Sequence, residues 1–168
     1  MRSMVILVLS CALSLFMLES CSSLSDAPDR QHDPQTLKIL YQYGFRDELN
    51  TFAGTYQKDL VLDGTVKVPF WLSTEEQDTI LRKAMAVEFF SFPDMIPAEP
   101  GVSVEPHSGP DMLRLEYGGT EKTVRWSYPL DPTSGCTGGL LELTGLIRDV
   151  IESKAEYKSL PAARGGYL

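Results

Sequence analysis

Side chains able to carry covalent chemistry gather between positions 107 and 136. Cys136 stands in Ser134-Gly135-Cys136-Thr137-Gly138-Gly139, just ahead of an apolar helical stripe. A thiol at a helix N-terminus feels the positive end of the dipole and gives up its proton more readily. With His107 as base and Asp111 orienting the imidazole, it would make a thiol hydrolase. His107-Ser108-Gly109-Pro110-Asp111 offers the serine version of the same chemistry. Neither constellation is well built. Catalytic triads are assembled from distant segments, and three triad residue types in one short stretch are what a polar loop supplies by composition. A nucleophile elbow needs a strand running straight into its turn, whereas Pro129 and Pro132 precede Cys136. We therefore assign no catalytic residue and read Cys136 as a loop or half-buried structural cysteine. A thiol or serine hydrolase using Cys136 or Ser108 with His107 is the alternative.

Metal chemistry is equally thin. His32 and His107 are the only histidines and the cysteines are three, Cys11, Cys21 and Cys136, without the clustering that a zinc site requires. Asp59-Leu60-Val61-Leu62-Asp63-Gly64 puts apolar residues where an EF-hand loop needs oxygen ligands, so it reads as a turn. No metal and no cofactor is expected.

The most specific signal lies at the start of the chain. Arg2 precedes an apolar stretch from Met4 to Leu18, and Leu18-Glu19-Ser20-Cys21 closes it. An apolar run of about 15 residues is short of the roughly 20 that span a bilayer. A charged start, a short apolar core and a small-residue exit make a signal peptide. The segment resembles the lipobox leader of bacterial lipoproteins. That resemblance implies cleavage before Cys21, a diacylglyceryl thioether on Cys21 and an acylated amine, hence a membrane partner held through lipid. Two or three acyl chains, at about 0.8 kcal/mol per buried methylene, hold stably where one chain does not. Glu19 departs from the pattern, which favours a small or apolar residue there. Ser22 does not supply the aspartate that retains lipoproteins in the inner membrane of some Gram-negative bacteria, so in a Gram-negative cell the outer membrane is favoured. Cys11 sits within the apolar core and reads as a filler.

Composition narrows the function classes. The chain has 168 residues and a formal net charge of −8. Removing residues 1–20 takes away Arg2 and Glu19, which leaves that charge unchanged. An acidic exported domain lacks the basic surface that nucleic acid or anionic lipid headgroups would demand. Once Cys21 is lipidated and Cys11 removed, Cys136 has no partner for an intramolecular disulfide. Residues 21–36 hold the lipidated cysteine and a polar, Pro-containing stretch that reads as a disordered tether with an end-to-end span of about 20 Å.

Folded structure is expected over 37–160. Leu37, Ile39, Tyr41, Tyr43 and Phe45 alternate as a strand. Arg46-Asp47 reads as a turn. Phe52, Gly54, Tyr56, Lys58 and Leu60 share one face of a second strand, and Asp63-Gly64 signals a type I′ hairpin. The third strand covers Thr65 to Leu72, an edge strand because Pro69 lacks an amide hydrogen. Ser73 and Glu76 form a capping box. The helix it opens runs to about Phe89 and buries Ile80, Leu81, Ala84 and Met85. A Pro-rich loop over 93–110, with a short strand at Val102 to Glu105, leads to a hairpin turning at Gly118-Gly119. A second helix extends from about Gly139 to Tyr157. The sum is an α+β fold, an antiparallel sheet of about five strands in the order βββ-α-ββ-α with two helices packed on one face. Residues 161–168 read as a C-terminal tail.

Trp71 and Lys67 fall on the face of the third strand opposite its core set, which marks a possible contact surface. Tyr167, in Arg164-Gly165-Gly166-Tyr167, is a third contact candidate: it either docks on the domain or is read by a partner. The chain is thus expected to be a lipid-anchored cell-envelope protein, a non-catalytic binding or interaction domain with an envelope partner. A carrier of a small apolar ligand, lined by Tyr41, Tyr56, Phe70 and Trp126, is a further alternative, although core packing accounts for those rings more economically. Thr55-Tyr56-Gln57-Lys58-Asp59, Glu88-Phe89-Phe90 and the Arg164-Gly165-Gly166-Tyr167 ending are similar to uncharacterised secreted bacterial proteins, a resemblance that implies no activity.

Overall fold

The computed structural model describes residues 36–98, 109–133 and 135–167. Cys11, Cys21, the tether, the Val102 to Glu105 stretch, His107 and Ser108 lie outside them. The described residues belong to one compact unit, His32–Leu168. Four strands come first: β1 (Lys38–Tyr43), β2 (Asp47–Asn50), β3 (Thr55–Val61) and β4 (Gly64–Pro69). Next in the chain are helix α1 (Thr74–Ala86), a single 3₁₀ turn at Phe89–Ser91 and the two-residue β5 (Met95–Ile96). β6 (Asp111–Tyr117), β7 (Thr120–Trp126), α2 (Gly135–Ser153) and α3 (Ala155–Lys158) complete it.

The strands form one sheet in the order β4-β3-β2-β1-β6-β7-β5. Every pairing is antiparallel except that of β5 with β7. Register places Val68, Tyr56, Leu49, Tyr41, Leu113 and Val124 in one row across six strands. Because side chains alternate between faces, the whole row points to the same side. It shares one buried cluster with Ile80 and Ala84 of α1 and Leu140, Leu143, Ile147 and Ile151 of α2. Both helices thus cover one face of the sheet.

Local chemistry explains the helix ends. At the start of α1 the Glu76 amide donates to Ser73 Oγ at 3.2 Å, and the Ser73 amide donates back to Glu76 Oε2 at 2.7 Å. These two bonds satisfy donors that have no partner inside the helix. Lys154, just past α2, donates to the same Glu76 carboxylate at 2.9 Å and ties the end of one helix to the beginning of the other.

The α+β class stands; its details change. Seven strands replace five, and the sheet is mixed. β2 was hidden because only Leu49 of Asp47-Glu48-Leu49-Asn50 faces the core, so the segment has a turn-like composition. Phe52 and Gly54, expected in a strand, instead occupy the turn between β2 and β3. β5 gives two residues to the sheet, too few for any period to register. α1 stops at Ala86 rather than near Phe89, because Glu88 takes a left-handed conformation that turns Phe89 and Phe92 into the core. Met85 is half exposed rather than buried. α2 begins earlier than Gly139, at Gly135, and α3 is a separate short third helix. What surrounds Gly138 and Gly139 explains why glycines stand inside the helix. A Cβ on Gly138 would meet the Pro132 carbonyl oxygen at 2.8 Å, and one on Gly139 would meet Val87 Cβ at 2.9 Å.

Candidate functional site

β1 and β2 are joined at Gly44-Phe45-Arg46, where Gly44 adopts φ +60. Beside this turn lies a groove of about 290 Å³, whose lining includes Gln42, Arg46, Asp47, Glu48, Gln57 and Asp111. The sheet register builds it. Gln42 lies opposite Glu48, and Glu48 opposite Gln57, so three polar side chains stand in a row on the face away from the helices. The Gln42 amide donates to Glu48 at 2.8 Å, and the Gln57 amide donates to the Arg46 carbonyl at 2.9 Å. Lys67 extends the same row opposite Gln57, with its ammonium 4.0 Å from Glu48.

The inner end of the groove is tied to buried hydroxyls. Tyr43 and Tyr56 share a hydrogen bond of 2.9 Å. The Asp59 amide donates to Asp47 Oδ1 at 2.9 Å. Burial raises the Asp47 carboxyl above the usual aspartate range, with that amide bond pulling the other way. Burial likewise pushes the Tyr43 and Tyr56 phenols well above the ordinary tyrosine value. Asp111 opens β6 and accepts from Tyr128 at 3.1 Å. The groove thus presents side-chain amides, carboxylates and one guanidinium to solvent.

Cys136 sits in the first turn of α2, inside the helix rather than ahead of it, half-buried against the core. It takes no part in the groove. Its suggested base His107, and Ser108, lie outside the described residues, while Asp111 is engaged by Tyr128. Tyr41, Tyr56, Phe70 and Trp126 are all fully buried. Tyr56 and Phe70 lie 5.5 Å apart, and Tyr41 and Trp126 6.3 Å apart. These rings are members of the buried core cluster. Among the described residues no three His, Cys, Asp or Glu side chains gather to hold a metal ion, and no helix is long and apolar enough to cross a membrane.

Trp71 comes just after β4 at 45% exposure and lies flat over Gly54, where a Cβ would come within 1.9 Å of the indole. Tyr167 stacks on Phe45, ring centres 3.6 Å apart. Two of the three contact candidates therefore adjoin groove residues, Lys67 through Glu48 and Tyr167 through Phe45. The groove itself was missed in the sequence. Gln42 and Gln57 are visible as outward members of alternating strands, but without β2 there was nothing to place Glu48 between them.

No family model matches the chain, and comparison with curated proteins and with solved structures finds no match either.

Proposed function

We propose that the chain is exported, lipid-anchored through Cys21 in the bacterial envelope, and acts there as a non-catalytic binding domain whose contact site is the polar groove at the β1–β2 turn. The observation that carries the binding part is the Gln42–Glu48–Gln57 row. It is preorganised by its own hydrogen bonds, stands on rigid strands and opens to solvent, as a specific polar site requires. The anchor rests on the leader's residue pattern. An anchor at Cys21 would keep the domain at the membrane surface, within reach of envelope proteins and of polar molecules there.

The test is comparative affinity capture from detergent-solubilised envelope, with the wild-type chain and a Gln42→Ala, Gln57→Ala double variant as baits. Species retained by the wild type and reduced at least tenfold with the variant support the groove. Identical capture by both baits contradicts it.

A further inference from the structure

The C-terminal segment is bound to the domain in the manner of a peptide ligand. β3 has seven residues and β2 only four, so the end of β3 runs on past its neighbour. Arg164 pairs there with Val61 as a parallel bridge. Its amide donates to the Leu60 carbonyl at 3.3 Å, and its carbonyl accepts from the Leu62 amide at 3.3 Å. Adding backbone to an open strand edge is a recurring mode of peptide recognition, with side-chain pockets supplying specificity. Those pockets are present. The Arg164 guanidinium grips Asp63 through two bonds, 2.7 and 2.8 Å. Gly165 at φ +86 passes against Leu62, where a Cβ would stand 2.9 Å from Cγ. The Tyr167 ring stacks on Phe45, and its hydroxyl donates to Asp59 Oδ2 at 2.6 Å while accepting from Arg46 at 2.6 Å. Asp59 is 7% exposed, so the tyrosine hydroxyl meets a carboxylate held in the body of the domain.

The connection to the slot is slender. Between the end of α3 and Arg164 lie Ser159 to Ala163, exposed except for Leu160. Four specific contacts thus hold Arg164–Tyr167 beyond a mostly exposed connection that packs on the core only through Leu160.

We propose that this slot is a recognition site for peptides carrying an arginine, a glycine that can take a left-handed conformation, any residue and an aromatic ring in succession, and that the chain's own Arg164–Tyr167 occupies it at rest. The intended occupant is a segment of a partner protein with that chemistry. Because the tail is covalently attached, it competes at high effective concentration, and a free peptide gains access only when it leaves. The site is distinct from the groove, although Phe45 and Arg46 border both, and it does not depend on the anchor.

The test uses the full chain with the double substitution Arg164→Ala, Tyr167→Ala, which opens the slot and leaves its walls intact. The probe is a labelled synthetic peptide of residues 162–168. Saturable binding to the double variant, at least tenfold tighter than to the wild type, is expected, with a similar loss when the arginine of the peptide becomes glutamate. Absence of binding to the folded variant, or equal binding to variant and wild type, overturns the proposal. A charge exchange provides the second arm: Asp63→Lys ejects the native tail and should bind the glutamate peptide in preference to the native one. If it prefers the native peptide or binds neither, the assignment of Asp63 as the arginine pocket fails.

Discussion

Gly54 adopts φ +66 directly beneath the Trp71 indole, so two independent constraints exclude a side chain there. Gly54→Ala both strains the backbone and drives a methyl into the ring, a loss of about 1–3 kcal/mol. Thermal denaturation should show the loss, and displacement of Trp71 into water should shift its fluorescence to longer wavelength. An unchanged melting curve and emission maximum would contradict the packing described. Other residues yield less. Cys136→Ala trims a half-buried thiol that packs without bonding, and should cost no more than about 1 kcal/mol. At this scale the sequence is legible where one residue type has one use. The glycine of Asp63-Gly64 marks a turn, and Gly64 is left-handed at φ +77. The type is not I′, however, since Asp63 has no positive φ while Val61 does, at φ +61. A β-branched residue in that region cannot be foreseen from composition. The Asp59 carboxylate accepting from the Val61 amide at 2.9 Å, together with the Arg164 bridge, holds it there.

Among elements, the hairpin of β3 and β4 and the C-terminal segment titrate together. The Arg164 guanidinium holds the Asp63 carboxyl below its usual range. A carboxyl with a depressed value in the docked state favours docking above its ordinary value and ceases to do so as pH falls through the docked one. Acidification from neutrality through and below the ordinary carboxylate range should therefore weaken the docking of the segment, and so should high salt, because both partners are solvent-exposed. Hydrogen exchange at the Leu62 and Arg164 amides reports it. Protection should fall together at both sites on acidification, and less so in Asp63→Asn, where only the Asp59 carboxylate under Tyr167 still titrates against the segment; a pH-independent wild type would contradict the coupling. None of this pairing was legible, because Arg164 and Asp63 are brought together by the course of the fold and not by any periodicity. The capping box of α1 was legible because it is complete within four residues. The Gly138-Gly139 pair looked like a helix boundary, and only the approach of Val87 and Pro132 shows why small residues stand inside α2.

For the whole molecule, one buried cluster joins the sheet to α1 and α2, so cooperative unfolding is expected. Leu143, fully buried in that cluster, tests it. Leu143→Ala should cost about 2–5 kcal/mol in a single transition seen alike by circular dichroism and fluorescence. Two separated transitions would contradict a single core. The strand alternation of Ile39 and Tyr41 and the stripe of Leu140, Leu143, Ile147 and Ile151 made this core readable, since burial on one face writes a period into the chain. The groove was not readable, because polar outward positions look alike until register aligns them. The proposed place of the domain in the cell rests on a single thiol. Intact-mass analysis of the protein purified from native envelope addresses that directly. The expected mass is that of residues 21–168 bearing a diacylglyceryl group and an amide-linked acyl chain on Cys21. An unmodified mass, or a chain beginning at any other residue, would contradict the lipid anchor.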